Sequence, residues 1–320
     1  MMNGFVAGEL RQGGAAAEQT AEIGVRQAAA NFWLDALFRL AGAAPRMTRA
    51  LRPMVARGAY RCSPAIRAAT ADNARRIFGP DASPADIRDF GRGVVASFFD
   101  FVCDIGQSLR LSREQLAGRI ESIVGHEHYL AARAMKKGAI IATAHMGSFE
   151  AGAAALLAHE RAMHVVFKRD PSRFEQVRSA LRAKLGVIEA PIDDGWGVWM
   201  RLRDALARDE VVMIQADRVM PGQKGCRVPF LHGHLLLPTG PMKLSLASGG
   251  GAPIVPVFAL RTGDGRICIH VEPAIAVEPS SESPHPALLK FAGILEQYVR
   301  AFPRQWLLLH RAFCEEDSTV

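Results

Sequence analysis

A histidine and a glutamate lie five residues apart in the stretch TAHMGSFEAG, just after an apolar run. Residues 139–144 predict a buried strand, and His145 follows it directly. Gly147 permits a sharp turn, and Ser148 is a residue type that caps helices. Glu150 then falls in the first turn of the next helix, where we expect its carboxylate to reach back to the imidazole.

This pattern predicts acid–base chemistry. A carboxylate beside one ring nitrogen fixes the histidine tautomer and leaves the other nitrogen free to accept a proton. Backbone amides over residues 147–149, at the helix N-terminus, would favour a developing negative charge. Because the stretch offers no obvious protein nucleophile, it suits direct attack of a substrate hydroxyl on an activated acyl group.

Two other interpretations of the pair stay open. His and Glu five residues apart do not share a helix face, unlike the four-residue spacing of zinc-binding helices. His232 and His234 offer two metal ligands, but the spacing suggests no third. His145 could also be a structural histidine, since one His–Glu pair is a weak signal.

Positive charge is concentrated near the N-terminus of this 320-residue chain, whose formal net charge is +7. From Arg26 to Arg67 there are eight arginines and one acid, Asp35. Such a region could face the phosphates of a lipid, a nucleic acid or a carrier protein, or it could be a solvated helical face. No nucleic-acid motif is interleaved with the arginines, so we predict no nucleic-acid partner.

The segment around Phe32–Leu40 is amphipathic and carries a Trp/Phe edge. It predicts either a core-facing helix or an interfacial membrane element. The N-terminus lacks the pattern of a signal peptide, and no convincing transmembrane helix is present. Five widely separated cysteines predict reduced thiols in a cytosolic protein.

From about residue 119, predicted strands and helices alternate, which favours an α/β fold with a largely parallel sheet. The region before it is predicted to be helical, with helices over 66–78 and 84–109. We therefore expect disorder over residues 1–20, an N-terminal helical region over 21–118 packed on the core, and an α/β core over 119–316.

The stretch IVGHEHYLAARAMKKGAIIATAHMGSFEAG resembles the lysophospholipid acyltransferase superfamily, and within it the bacterial lipid A late-acyltransferase (lauroyl/myristoyl) family. Further stretches resemble this family in the same order, namely DNARRIFGP (72–80), VVFKRDPSRF (165–174), the block 209–258 and PRQWLLLHRAF (303–313). The resemblance implies a glycerol-3-phosphate acyltransferase-like fold, with a mostly parallel sheet flanked by helices and preceded by a helical region.

The resemblance implies that His145 and Glu150 are the catalytic pair of an acyltransferase. It also implies a set of substrate-binding residues: Gly147, Ser148, Arg169, Asp217, Arg218 and Gly240. Arg169 would bind a phosphate, and Gly240 would let a ligand approach the backbone. Asp217 and Arg218 match a block that shapes the site.

Structural interpretations of these residues stay open. Arg169 could form a surface ion pair with Asp170 or Glu175, and Asp217 could cap a turn. Arg311, beside His310, could simply pack the C-terminal tail.

The predicted reaction moves a fatty acyl group from an acyl carrier protein or CoA thioester to a hydroxyl or amine of a lipid or lipid-like acceptor. We expect a peripheral protein at the anionic cytoplasmic face of the inner membrane, with neither a metal nor a redox cofactor. The alternative is a non-catalytic module that binds acyl chains or acyl carrier protein on the same scaffold. An intact His–Glu pair argues against that alternative.

Overall fold

The computed structural model of the protein describes residues 31–157, 159–220 and 223–314, with the side chain of Arg113 left out. The disorder predicted for residues 1–20 lies outside this part of the chain, as does Arg26. The predicted fold class is confirmed: helices flank a mostly parallel sheet, and a helical region precedes it.

Five helices come first along the described chain: α1 (31–43), α2 (Pro45–Cys62), α3 (Pro64–Phe78), α4 (Pro84–Ser108) and α5 (Arg113–Ala117). Ser-Pro pairs begin two of them. Ser63 accepts the amide of Ile66, Ser83 accepts the amide of Asp86, and a proline follows each serine. This start is stable because the serine satisfies an unpaired helix donor, while proline lacks one at that position.

The α/β core contains the remaining elements. Its strands are β1 (Ile120–Val124), β2 (Ala139–Thr143), β3 (Met163–Phe167), β4 (Ile188–Pro191), β5 (Val211–Gln215), β6 (Gly225–Phe230), β7 (Gly233–Pro238), β8 (Ile254–Arg261) and β9 (Ile267–Val271). Its helices are α6 (His126–Ala134), α7 (Phe149–Leu157), α8 (Arg173–Leu185), α9 (Trp196–Ala207), α10 (Gly240–Ala247) and α11 (Pro286–Ala301).

Across the described residues, seven strands form one sheet in the order β1-β9-β8-β2-β5-β3-β4, and β6 and β7 form a separate antiparallel hairpin. The β8–β9 pair is antiparallel, whereas the other pairs of the large sheet are parallel. The central strand β2 is buried along its whole length, as its sequence AIIAT requires.

Strands β2 and β5 are neighbours, and their last residues, Thr143 and Gln215, are paired in register. The ladder continues for one step, because the amide of Ala216 donates to the carbonyl of Thr143 at 2.8 Å. The residues that follow each strand therefore emerge side by side at the carboxyl edge of the sheet, where open α/β folds place their sites.

Both faces of the sheet are covered by helices. Alternate residues of β2 point to opposite sides, so that Ile140 joins a core shared with α9, α10 and α11, while Ile141 joins one shared with α6 and α7. A third apolar cluster joins α1 and α4 to α7 and α8, with Phe101 against Phe149. The N-terminal helices thereby pack on the start of α7.

Among the residues described, no helix combines the length and the apolar character needed to cross a membrane.

Candidate active site

His145 and Asp217 form a hydrogen-bonded pair at the carboxyl edge of the sheet. Each lies two residues beyond the end of its strand, β2 for His145 and β5 for Asp217, so the strand register brings them together. Oδ1 of Asp217 lies 2.7 Å from Nδ1 of His145. The histidine therefore has the carboxylate partner that its predicted role needs, but this partner comes from a different loop.

Trp306 fixes the other oxygen of Asp217. Its indole Nε1–H donates to Oδ2 at 3.0 Å, and the side chains of both residues are buried. Burial alone would raise the pKa of Asp217, but His145, Arg218 and this hydrogen bond together lower it below its ordinary value. Asp217 is therefore ionised at neutral pH and acts as an acceptor only.

Because Asp217 is ionised, Nδ1 of His145 carries the proton of the neutral ring, and Nε2 is the basic nitrogen. Burial lowers the pKa of His145 below its ordinary value, and Arg218 and Arg178 act in the same direction, against the opposing effect of Asp217. The imidazole is thus neutral near pH 7 and oriented to accept a proton at Nε2. Such a histidine is suited to general-base catalysis.

Three consecutive residues of the C-terminal tail hold the loop that carries His145. The carbonyl of Gln305 accepts the amide of Gly147 at 2.9 Å, and the amide of Leu307 donates to the carbonyl of His145 at 2.8 Å. Between them, Trp306 binds Asp217. The tail therefore fixes both the backbone of the histidine and the orientation of its carboxylate partner.

The tail is itself tied to the N-terminal helices through Asn73, which is fully buried in α3. Its Nδ2 donates to the carbonyl of His310 at 2.8 Å, and its Oδ1 accepts the amide of Ala312 at 3.0 Å. Asn73 belongs to the stretch DNARRIFGP, so that resemblance has a structural counterpart. It is an anchor for the tail rather than a group in the site.

Glu150 does not hold the imidazole, and on this point the sequence prediction is wrong. Oε1 of Glu150 accepts a hydrogen bond from Nε of Arg178 at 2.8 Å, and Arg178 also binds Glu175 at 3.0 Å. Glu150 lies in the first turn of α7 as expected, but its carboxylate is directed to α8. It neutralises Arg178, whose charge lowers the pKa of His145.

The loop amides also differ from expectation. The amide of Gly147 binds Gln305, and that of Ser148 donates to the carbonyl of Ala259 at 2.8 Å, so neither is available for an oxyanion. The Ser148 hydroxyl donates to Oδ2 of Asp104 at 2.6 Å instead of facing a substrate. Of the three amides predicted to stabilise the oxyanion, that of Phe149, at the start of α7, is the remaining candidate.

Arg169 and Gly240, predicted to bind substrate, have protein partners here. The guanidinium of Arg169 binds Asp194 at 2.5 Å, and its amide donates to Asp193 at 2.7 Å. The surface ion pair is therefore formed, but not with Asp170 or Glu175. Gly240 begins α10, and a Cβ there would lie 3.2 Å from the indole of Trp199, which occupies the space expected for a ligand.

Arg218, in contrast, lies beside the pair. It influences the pKa of both His145 and Asp217, and its Nη1 donates to Nε2 of His310 at a distance of 3.4 Å. Arg218 and Arg178 both lower the pKa of the imidazole, although Glu150 and Glu175 balance the charge of Arg178.

An apolar crevice begins next to the pair and runs between α7 and the sheet. Phe149 lies at its start, with its ring centroid 5.7 Å from that of His145. Ile141, Met213 and Val257 form its floor. Its lining is almost entirely hydrocarbon, but its volume of about 40 Å³ is well below the roughly 300 Å³ at which ligand pockets begin.

Of the two histidines that suggested a metal, the side chain of His234 contacts an arginine, and His232 is bonded through its backbone. The amide of His232 donates to the carbonyl of Arg76, and Nη2 of Arg227 contacts Nδ1 of His234 at 3.3 Å. Within the described ranges, no group of three or more His, Cys, Asp or Glu side chains is placed to hold a metal ion.

Sequence reasoning did not assign roles to Trp306 or Arg178. The tail stretch PRQWLLLHRAF, noted for its family resemblance, contained the signal for Trp306. Nothing in the local sequence around Arg178 links it to Glu150, which lies on another helix.

The sequence also matches a known family. The profile of bacterial lipid A biosynthesis acyltransferases matches residues 26–315, nearly the whole chain. None of the curated proteins matches. The family match confirms the resemblance seen in the sequence. The chain therefore belongs to the bacterial lipid A biosynthesis acyltransferase family, and it is an acyltransferase.

Proposed function

We propose that this acyltransferase moves a fatty acyl group from an acyl carrier protein or CoA thioester to a hydroxyl, or an amine, of a lipid A-like acceptor. The observation that carries the proposal is the His145–Asp217 pair, which leaves Nε2 as the basic nitrogen of a neutral imidazole. A module that only binds acyl chains has no use for such a base, and membership of an acyltransferase family also favours the enzyme.

In the proposed reaction, Nε2 of His145 removes the proton from the acceptor hydroxyl. The acceptor oxygen attacks the thioester carbonyl and forms a tetrahedral oxyanion. The carbon–sulfur bond then breaks, and the imidazolium returns its proton to the departing thiolate. Asp217 stays ionised and stabilises the imidazolium while it exists. Because the acceptor oxygen itself attacks the thioester, the reaction requires no protein nucleophile. We propose no metal or redox cofactor.

The oxyanion needs donors other than the amides of Gly147 and Ser148, which are already bonded. We assign this role to the Phe149 amide at the N-terminus of α7, assisted by the positive charges of Arg178 and Arg218. Glu150 then acts indirectly, because it orients Arg178.

The apolar crevice under α7 has the chemistry to receive a fatty acyl chain, but at about 40 Å³ it would have to widen before a chain entered. Its start at Phe149 adjoins His145, so an acyl chain lying in the crevice would place its thioester carbonyl near the base. Burial of each methylene in such a crevice stabilises the complex by about 0.8 kcal/mol.

The acceptor is a lipid, so the enzyme would work at a membrane surface, and we propose the cytoplasmic face of the inner membrane. Phe32 and Trp33 support peripheral attachment, because both are exposed on α1 and their ring centroids lie 5.6 Å apart. The arginine-rich helix α2 follows α1 in the chain, and its charge suits anionic lipids.

Single-turnover assays would test the proposal. Acyl carrier protein and CoA, each loaded with a radiolabelled acyl group, are mixed separately with the purified enzyme and a lipid A precursor, and the acylated lipid is followed. We expect transfer from at least one donor and its loss in His145→Ala. Donor binding without transfer in the native enzyme would instead support the binding module.

A further inference from the structure

A large cavity, distinct from the apolar crevice, lies between α2, α4 and the β8–β9 turn. Its volume is about 770 Å³, within the range of ligand sites. His145, Asp217 and Trp306 do not line it. It is therefore separate from the acyl-transfer site, although both lie at the same edge of the sheet.

The lining of this cavity is strongly basic. Counting described residues alone, it contains seven arginines and four aspartates, with no lysine or glutamate. Two aspartates are engaged close by: Asp100 with Arg52 at 2.8 Å, and Asp89 with Arg304. Arg49, Arg57 and Arg92 project their exposed side chains at the cavity mouth. An excess of positive charge thus remains after the ion pairs are formed.

The floor of the cavity contains buried donors that lack acceptors. Arg119 and Arg261 both bind Asp104, which is itself buried. Nη1 of Arg119, and Nε and Nη2 of Arg261, are nevertheless buried without a partner among the described residues. These three nitrogens have almost no accessible surface, so an anion in the cavity does not contact them directly. Asp104 balances only one of the two guanidinium charges, so the floor still attracts an anion.

We propose that this cavity binds a phosphate-bearing group, either a phosphomonoester or a diphosphate. Guanidinium groups match phosphate oxygens in paired hydrogen bonds, and a cluster of several can neutralise more than one negative charge. Arg49 and Arg92 contact the phosphate from α2 and α4, while the charges of Arg261 and Arg119 attract it from the floor. The proposal does not rest on acyl transfer, because it concerns binding alone.

The position of the cavity gives the bound phosphate a structural consequence. Asp104 joins the floor arginines to the histidine loop, since its Oδ2 accepts the Ser148 hydroxyl at 2.6 Å. Gln305 makes a second connection: its Oε1 accepts the amide of Arg261 at 2.8 Å, and its carbonyl accepts the amide of Gly147. A phosphate here would lie against the residues that support His145.

Calorimetric titration with pyrophosphate alone tests the site. We expect the native protein to bind pyrophosphate more tightly than sulfate, and the Arg49→Gln/Arg92→Gln variant to bind it about tenfold or more weakly. The matched control is Arg46→Gln/Arg88→Gln, which removes exposed arginines from the same two helices outside the cavity. Equal affinities of the two variants, or no preference over sulfate, would overturn the proposal.

Two further comparisons identify the source of the phosphate. If it belongs to a lipid, vesicles with phosphatidic acid bind the native protein better than phosphatidylglycerol vesicles of equal surface charge, and Arg49→Gln/Arg92→Gln removes the difference. If it belongs to a soluble ester, coenzyme A displaces pyrophosphate better than dephospho-coenzyme A does. Either result supports a phosphate site, and failure of both counts against it.

Discussion

Oδ1 of Asp217 lies 2.7 Å from Nδ1 of His145, although 72 positions separate the two residues in the chain. The contact exists because β2 and β5 pair in register and both loops leave the same edge of the sheet. With Trp306 on its second oxygen, the carboxylate cannot rotate away without losing a buried hydrogen bond. His145 thus depends on a strand pairing and on the C-terminal tail.

The first prediction concerns the Asp217 carboxylate. Asp217→Asn keeps the shape of the side chain but removes the charge that fixes the tautomer and stabilises imidazolium. We expect the single-turnover rate to fall by between about 10² and 10⁴, with donor affinity nearly unchanged. Rapid-quench measurement of acyl transfer, paired with calorimetric donor binding, checks both parts.

Asp209→Asn is the matched control, since Asp209 is also ion-paired, with Arg133, but at the amino end of β5. The backbone of Asp209 has a φ of 60°, a conformation that asparagine also adopts. Native rates in Asp217→Asn would remove the aspartate from the mechanism.

The second prediction is a pair of opposite pH shifts. The pKa of His145 lies below its ordinary value of 6.5 because of burial, and the neutral ring is the active form. Activity should therefore rise with pH, with the midpoint of the rise below that value. Asp217 raises this pKa and Arg178 lowers it. We thus expect the acidic limb of kcat/KM to move to lower pH in Asp217→Asn and to higher pH in Arg178→Gln; shifts of the same sign would contradict the assignment.

The sequence predicted local elements well where periodicity and caps were clear. The predicted strand at 139–144 agrees with β2 to within one residue, and the end of α3 and the start of α4 agree with the predicted helices. Short strands with weak patterns, such as β1 and the β6–β7 hairpin, were not predicted. Strand β1 was missed because four of its five residues are exposed at the edge of the sheet, so its sequence lacks the apolar run of a buried strand.

The site was harder to predict because strand order is a long-range property. His145 and Glu150 are close in sequence, so a local argument paired them, whereas the fold places β5 beside β2 and brings Asp217 to the ring. Asp217 had been proposed as a site residue from the family resemblance alone. The partner of Glu150 depends on how α8 packs on α7, which no local pattern encodes.

The third prediction separates an indirect role of Glu150 from a direct one. If Glu150 acts by orienting Arg178, then Glu150→Gln and Arg178→Gln disturb the same contact, and their effects on the transfer rate should not add. The double variant should be little slower than the worse single variant. Additive losses would show that Glu150 acts on the reaction independently of Arg178.

The fourth prediction concerns membrane attachment. Phe32 and Trp33 are 66% and 70% exposed on α1, close in sequence to the basic α2. Phe32→Ala/Trp33→Ala should weaken binding to anionic vesicles. High salt should weaken the binding of the native protein, since each basic side chain contributes about 1 kcal/mol at such a surface. Flotation assays measure both effects. Leu130→Ala, at an exposed position on α6, is the control, and an equal loss there would contradict a specific role of α1.

The last prediction tests the turn that carries the histidine. Gly147 has a φ of +56°, and a Cβ there would lie 2.3 Å from the carbonyl oxygen of Ala259. That oxygen also accepts the amide of Ser148, so it cannot retreat without losing a bond.

Gly249 has a φ of +73° with open space around it, so Gly249→Ala isolates the backbone cost, about 1 kcal/mol. We expect Gly147→Ala to lower the free energy of unfolding by more than about 3 kcal/mol and to abolish transfer, because the clash adds to that cost. Urea denaturation of both variants measures the difference. Equal losses would mean that the contact with Ala259 relaxes freely, and that the loop does not fix His145 as tightly as its hydrogen bonds indicate.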